Sequence, residues 1–384
     1  MAWIKRIGLA FSAILVLGAA AALVKREELG RLMAVQSLFD PDRIVANFSN
    51  MDRAFLSTPL PATPGPALPS GPETPLPEGA ETWIEDRLVT ALVVLHDGRI
   101  TYESYYRGTD TDDQRMSWSV AKSFLSLLTG IVIEDGMLDL TDPVTQHAPI
   151  LAGAAYEGVT VRDVLQMQGG VAFDEDYFDP GSDINRMGRQ LALGRSLDDF
   201  AAALTERARP AGRQMVYNSM DTHVLSLVLR GATGRSIPDL MAEKLTGPLG
   251  TGPAYYLVDG DGAAFVLGGL NMTTRDYARM GLMVAQGGML DGRRIVPEAW
   301  ISESTEASAN TPDGAEGYGY KWWLPADARP GEVYAHGVYG QYVYIDRARN
   351  VVIAANGVDP LFQAPGTRAE FIAMFRRIAE AQGG

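Results

Sequence analysis

The chain contains 384 residues with a formal net charge of −14, and 46% of its residues are hydrophobic and 21% charged. This composition is that of a globular protein with a full core, and it excludes a chain that is disordered throughout. The acidic balance argues against a nucleic-acid partner, and the absence of cysteine excludes disulfides, thiolate metal sites and a cysteine nucleophile.

An apolar stretch near the N-terminus covers residues 7–24 and comes directly after the basic pair Lys5 and Arg6. It is at the short limit for a membrane span and long for the apolar core of a signal peptide. Basic residues before such a stretch favour a cytoplasmic N-terminus and export of the downstream chain. We therefore expect residues 1–27 to be a cleaved signal peptide or a retained inner-membrane anchor, with the remaining chain in a bacterial periplasm. A buried core helix is the alternative.

Residues 28–87 are expected to form a lead-in to the folded domain. Residues 28–58 mix apolar and charged side chains in a way that is typical of partly helical structure. Eight of the 22 prolines lie within residues 59–77, which excludes a helix and a central strand there. This proline-rich segment is therefore either an extended tether or a wrap over the surface of the domain.

One domain is predicted over residues 88–384. Its first elements are two β-rich runs at residues 91–95 and 99–106. The Asp97-Gly98 pair between these runs favours a tight turn, so we expect the domain to begin with a β-hairpin.

Helices are predicted for the centre of the domain, at about residues 140–290, and strands return near its end. The strands lie at residues 342–345 and 351–355 and are followed by a helix at residues 370–381. Strands at both ends indicate one antiparallel sheet that is built from both ends of the domain and flanked by helices. We therefore expect an α/β (α+β) fold with an inserted, mainly helical region.

One predicted helix carries a serine and a lysine that are candidates for a catalytic pair. The apolar spacing over residues 119–134 predicts a mostly buried helix that ends near Gly136. Ser119 is the only serine three residues before a lysine, Lys122, and this spacing places both side chains on one helix face. Burial would favour a neutral amine, which can take the proton of a neighbouring hydroxyl and make it a nucleophile. The alternative is a helix-capping Ser119 beside a lysine that extends to the solvent.

The four histidines are His96, His147, His223 and His336, and their spacing is not that of a metal site. The sequence also contains no P-loop and no G-x-G-x-x-G motif after a predicted strand. We therefore expect neither a metal ion nor an organic cofactor. A Ser-His-Asp triad stays open, because the members of a triad need not be close in sequence.

Two later segments complete an ordered set of motifs. Residues 217–219 read Tyr-Asn-Ser, and residues 336–341 read His-Gly-Val-Tyr-Gly-Gln. Together with Ser119 and Lys122, they resemble the Tyr-x-Asn, Lys-Thr-Gly and Ser-x-x-Lys motifs of serine β-lactamases, penicillin-binding proteins and related esterases. The resemblance is to the class C-like branch with its β-lactamase/transpeptidase-like fold, and within it to the 6-aminohexanoate-dimer hydrolases. Supporting stretches lie at residues 38–51, 176–182, 268–279 and 317–323.

This resemblance implies roles for individual residues. It implies that Ser119 is the acylated nucleophile, Lys122 its base and Tyr217 the proton relay to the leaving group. The backbone N–H groups of Ser119 and Val338 correspond to the oxyanion hole of the family. Gly337 would let the strand approach the substrate closely.

Three further residues are candidates for the site, and each has an alternative without a role in function. Tyr177 and Asn271 correspond to residues that contact the substrate amide in the family. Tyr177 could instead be an aromatic residue of a surface loop, and Asn271 could cap a helix at residues 273–283. His336 could be a buried histidine without a catalytic role.

Two departures from the family pattern narrow the expected function. Ser219 stands where the family has Asn, and His336 stands where the lactamases have a Lys that helps to hold the substrate carboxylate. The resemblance implies a serine hydrolase that cleaves a small-molecule amide or ester through an acyl-Ser119 intermediate. The first alternative is β-lactamase or D-alanyl carboxypeptidase activity, and the second is a non-catalytic, membrane-tethered binding protein.

Overall fold

The computed structural model describes residues 26–383, so the apolar stretch at residues 7–24 lies outside the described part. Within residues 26–383, no helix is both long and apolar enough to cross a bilayer. Two antiparallel sheets, a short hairpin and the surrounding helices make up this part of the chain. The predicted boundaries between signal or anchor, lead-in and domain stay predictions.

The larger sheet has seven strands, each antiparallel to its neighbours. In spatial order they are β3 (Arg99–Tyr105), β2 (Val89–His96), β13 (Val351–Gly357), β12 (Gln341–Asp346), β11 (Glu332–Gly337), β10 (Trp323–Leu324) and β9 (Gly317–Tyr318). Two strands come from the start of the predicted domain and five from its end, so the prediction of one sheet from both ends is confirmed. β2 and β3 are joined by Asp97 and Gly98, which both have the positive φ of a two-residue hairpin turn.

A second sheet has four strands and no counterpart in the sequence prediction. Its order is β1 (Leu56–Leu60), β5 (Ala254–Val258), β6 (Leu270–Met272) and β4 (Arg115–Met116). Two of these strands lie inside the region predicted to be mainly helical, as does the strand β7 (Met289–Leu290), which pairs with β8 (Arg293–Arg294) in a separate hairpin. Short strands that pair only with distant segments give no local hairpin signal, which is why the sequence does not predict this sheet.

The helices of the described chain surround both sheets. They are α1 (Arg26–Gln36), α2 (Ile44–Phe48), α3 (Ala80–Asp86), α4 (Val120–Glu134), α5 (Val144–His147), α6 (Val161–Leu165), α7 (Asp183–Ala192), α8 (Leu197–Ala202), α9 (Ser219–Thr233), α10 (Ile237–Met241), α11 (Gly247–Leu249), α12 (Thr274–Ala285), α13 (Glu298–Ser304) and α14 (Thr367–Ala381). The buried helix α4 and the last helix α14 are those predicted, although α14 begins three residues before the predicted residue 370.

The hydrophobic core lies on both faces of the larger sheet, because strand side chains point alternately to its two faces. Val93 and Val343 belong to the cluster formed with α4 and α12, whereas Leu92 and Tyr344 belong to the cluster formed with α3 and α14. Burial on both faces explains why β2 is a nearly continuous apolar run. The sheet is therefore a rigid layer against which α4 is fixed.

The proline-rich segment is a surface wrap and not a free tether. Pro59 lies in β1 at the edge of the smaller sheet, in agreement with the exclusion of a central strand. Farther along, the Gly71 N–H donates to Ile100 O (2.8 Å) and the Thr74 N–H donates to Thr101 O (2.9 Å). The segment thus covers the otherwise free edge of β3.

Candidate active site

Ser119 stands at the N-terminal end of α4, a few residues after β4. Almost every residue of α4 is buried, so the helix holds its first turn in a fixed place. The Ser119 side chain makes no capping hydrogen bond, and the alternative of a serine that only caps the helix is therefore not what the structure shows. Ser119 lines a cavity of about 800 Å³, and its Oγ lies 2.8 Å from Lys122 Nζ.

Lys122 is only 2% exposed and does not extend to the solvent. Besides contacting Ser119, its Nζ donates to Leu267 O at 2.7 Å. Burial lowers the Lys122 pKa to about 7, because the charged amine loses its solvation, and the negative charge of Glu175 opposes this shift. A substantial fraction of the amine is therefore neutral at neutral pH, and it can accept the proton of the Ser119 hydroxyl.

Tyr217 brings a phenol to the same place. It stands two residues before α9, whose N-cap is Asn218. The Tyr217 ring stacks on Trp323 with centroids 5.7 Å apart, and its centroid lies 5.3 Å from Lys122 Nζ. Burial, followed by the charge of Glu175, raises the Tyr217 pKa above its usual value. Tyr217 is therefore protonated at neutral pH and can donate a proton, while Lys122 is the better acceptor.

β11 passes close to the start of α4 at Gly337, its last residue. A Cβ at this position would lie 2.8 Å from Ser119 N and 2.7 Å from Ser117 O, so a side chain does not fit there. The next residue, Val338, lines the same cavity as Ser119. Among the backbone hydrogen bonds of turns, loops and helix caps in the described part of the chain, none is donated by the N–H of Ser119 or of Val338. Two N–H donors beside a reactive hydroxyl are what a developing oxyanion requires.

Glu175 also lines the cavity, and the sequence gives no signal for it because it is one acid within an acidic loop. Its carboxylate accepts hydrogen bonds from the Ser219 N–H (2.8 Å), from the Ser219 hydroxyl and from the Tyr177 hydroxyl (2.7 Å). Ser219, the departure from the family motif, thus holds this carboxylate. Glu175 joins the Tyr177 loop to the start of α9 and places a negative charge near Lys122 and Tyr217.

The two predicted substrate contacts have different surroundings. Tyr177 lies half-buried in a loop, where it lines the cavity and packs edge-on against Phe362 with centroids 6.0 Å apart. Asn271 is fully buried in β6, where it donates to Gly269 O at 3.0 Å, and it is not among the residues that line the cavity. Thr273 caps α12, so the capping alternative for Asn271 is wrong. A contact between Asn271 and the substrate stays a prediction.

His336 lies in the cavity wall at the position of the family's Lys. Its ring stacks on Tyr342, with centroids 4.5 Å apart. Burial, followed by the positive charge of Arg368, holds the His336 pKa well below its usual value, so the ring is uncharged at neutral pH. Within residues 26–383, the hydrogen-bonding partners of Ser119 do not include a histidine, and the alternative Ser-His arrangement is not formed.

The rest of the cavity wall combines aromatic and charged side chains. These are Tyr177, Tyr217, Trp323 and Phe362, together with Glu175, Glu316, Asp327, Arg368 and Arg376. Arg368 pairs with Glu316, and Arg376 pairs with Asp327 at 2.9 Å. Among the hydrogen bonds of residues 26–383, those that Glu175 accepts come from hydroxyl and amide groups only, whereas Glu316 and Asp327 are each paired with an arginine.

The chain is similar in sequence to a known family of hydrolases. The sequence matches the β-lactamase family over residues 81–382. It is 31% identical over 287 residues to the 6-aminohexanoate-dimer hydrolase of Paenarthrobacter ureafaciens, and the match covers 70% of this chain and 72% of that enzyme.

Solved structures show the same fold. A Bacillus anthracis protein, provisionally assigned as a 6-aminohexanoate-dimer hydrolase, superposes with a TM-score of 0.78 at 21% identity, over 90% of this chain and 96% of its own. A D-stereospecific amidohydrolase from Streptomyces sp. superposes with a TM-score of 0.57 at 19% identity, over 73% of this chain and 94% of its own. These matches confirm the predicted β-lactamase/transpeptidase-like fold. With the sequence match to the family, they show that the chain belongs to the β-lactamase family and is a serine hydrolase similar to 6-aminohexanoate-dimer hydrolase.

Proposed function

We propose that the protein hydrolyses an amide or ester bond of a small molecule through an acyl-Ser119 intermediate. The observation that carries the proposal is the 2.8 Å contact between Ser119 Oγ and the buried Lys122 Nζ. Ser119 lines a cavity of about 800 Å³, which is the size of a small-molecule site.

In the first half-reaction, Lys122 accepts the Ser119 proton while Oγ forms a bond with the substrate carbonyl carbon. The charge that moves to the carbonyl oxygen is stabilised by the N–H groups of Ser119 and Val338. As the C–N or C–O bond breaks, the protonated Tyr217 donates its proton to the leaving group and regains one from Lys122. In the second half-reaction, a water molecule gives a proton to the same pair while its oxygen bonds to the acyl carbon. The bond between Ser119 Oγ and the acyl carbon then breaks, and the pair returns the proton to Oγ, which regenerates the Ser119 hydroxyl and releases the acid product.

The relative with 31% identity supports a linear amide as the first substrate to test, and 6-aminohexanoate dimer is the substrate in its name. β-Lactam hydrolysis has less support, because the uncharged His336 occupies the position of a carboxylate-holding Lys. The contact between Ser119 and Lys122 likewise opposes a purely binding role.

A single purified sample can distinguish these functions. Turnover would be measured with 6-aminohexanoate dimer, with p-nitrophenyl esters of increasing acyl length and with nitrocefin, each beside the Ser119→Ala variant. We expect hydrolysis of an amide or an ester and little or no turnover of nitrocefin. Fast nitrocefin turnover would favour the lactamase alternative, and a fluorophosphonate probe that labels nothing would favour the binding protein.

Replacing Gly337 by alanine is expected to open the oxyanion hole. The new methyl group would overlap backbone atoms of Ser117 and Ser119, so β11 must move away from α4. We expect kcat to fall by about 100-fold or more, as for the loss of one oxyanion donor. The control is Gly188→Ala, because a Cβ there meets no atom within 4 Å. Equal ester turnover by both variants would contradict this position for the hole.

We also propose that residues 1–27 carry the protein across the inner membrane, which leaves the hydrolase domain in the periplasm. The support is the apolar stretch at residues 7–24 with basic residues before it. Alkaline phosphatase fused after residue 58 should be active, and deletion of residues 1–27 should abolish that activity. If only a cytoplasmic reporter such as β-galactosidase is active at this position, the export proposal fails.

A further inference from the structure

The residues beside the two oxyanion N–H groups have an unfavourable backbone conformation. Trp118 precedes Ser119 with a φ of +41°, and Tyr339 comes after Val338 with a φ of +62°. Few residues other than glycine adopt positive φ, and a bulky aromatic residue does so only where surrounding contacts hold it. Both residues therefore need support from their neighbours, and this support bears directly on the geometry of the hole.

The support comes from the lead-in, through Phe39 and Phe48. The Phe39 ring stacks on Tyr339, with centroids 5.4 Å apart and planes 13° apart, and on Trp118 at 6.2 Å and 22°. Phe48 packs edge-on against the same two rings, at 5.4 Å from Tyr339 and 5.5 Å from Trp118. Each lead-in ring thus contacts both strained aromatic residues, which also contact each other at 6.0 Å.

The lead-in is also hydrogen-bonded to the strand that precedes the nucleophile. Arg115, in β4 and four residues before Ser119, is only 1% exposed. Its Nη1 donates to Val45 O at 2.8 Å and to Ser49 Oγ at 2.5 Å. A buried guanidinium needs such partners, so the lead-in and the strand that precedes Ser119 are held together.

We propose that the lead-in is part of the active site, where Phe39 and Phe48 form a clamp that keeps the Ser119 and Val338 N–H groups convergent. This inference rests on the proposed acyl-Ser119 chemistry. In the described part of the chain, neither clamp residue is among those that line the cavity, so both are positioning residues and not substrate contacts. They also precede residue 81, where the match to the β-lactamase family begins.

The test uses Phe39 of the full-length protein, because this residue is 47% exposed and the loss of its ring should leave the fold intact. For Phe39→Ala we expect kcat for a p-nitrophenyl ester to fall by about tenfold with little change in KM, because the hole acts on the transition state. Phenylboronic acid is the second probe, since its boron accepts the Ser119 Oγ and a boronate oxygen occupies the hole. Its inhibition constant should rise by about tenfold.

Matched variants separate positioning from a general loss of apolar surface. Met33→Ala truncates a residue of the same lead-in that is 65% exposed, and this variant should behave as wild type. Phe39→Tyr keeps the stacked ring and should restore both readouts. If Phe39→Ala does not fold, Phe39→Leu takes its place, because leucine keeps an apolar side chain but removes the ring that stacks on Tyr339 and Trp118, and the same tenfold effects are expected. Wild-type kcat and boronate inhibition in Phe39→Ala would overturn the clamp alone. A wild-type protein that neither hydrolyses esters nor binds boronate would overturn the proposed function, and the clamp with it.

Discussion

Replacing Ser119 by alanine is expected to abolish labelling by a fluorophosphonate probe and to lower kcat by about a million-fold, as for other lost serine nucleophiles. The Ser119 hydroxyl is the group that contacts Lys122 Nζ at 2.8 Å, and without it no acyl-enzyme can form. The measurements are probe labelling with mass spectrometry of the labelled peptide, and ester turnover.

Ser117→Ala is the control for this variant. Ser117 is buried two residues away and donates to Gly268 O at 3.3 Å, so its hydroxyl is occupied and has no lysine one turn farther on. This variant should keep its label on Ser119. If Ser119→Ala retains more than a few per cent of the wild-type turnover, the assignment of the nucleophile fails.

The parts of the site that could be predicted from sequence are those fixed by local geometry. Ser119 and Lys122 share a helix face through their spacing alone, and the apolar pattern of α4 predicts the burial that lowers the lysine pKa. The Asp97-Gly98 turn likewise fixes the first hairpin. These inferences need no knowledge of which distant segments meet.

The parts that could not be predicted depend on contacts between distant segments. β1 pairs with β5 through Leu56 and Val258, and neither strand carries a hairpin signal. In the sequence, Glu175 cannot be distinguished from the acidic residues beside it, and only the fold brings it into contact with Ser219. The resemblance to the family identified Asn271 as a candidate substrate contact, but it could not predict that this side chain is fully buried.

Lys122→Arg is expected to leave the protein nearly inactive, with kcat/KM lower by about a thousand-fold, as for the loss of a general base. Arginine keeps the positive charge but stays protonated at any accessible pH, so this variant isolates the ability to accept a proton. The wild-type kcat/KM should rise with pH as Lys122 loses its proton, with a midpoint near its pKa of about 7, and should level off above it. A pH–rate profile checks both expectations.

Glu175→Gln tests the assignment of Lys122 as the base by removing a negative charge near it. The charge of Glu175 raises the Lys122 pKa, so its removal should lower that pKa and leave the amine neutral at lower pH. The rising limb of the profile should therefore move to the acid side, while the single amide oxygen of the uncharged glutamine can still accept one of the two Ser219 hydrogen bonds. His336→Ala should keep substantial activity and the wild-type limb, because the His336 ring is already uncharged. An inactive His336→Ala beside an active Lys122→Arg would make His336 the base, although the protein would remain a hydrolase of this family.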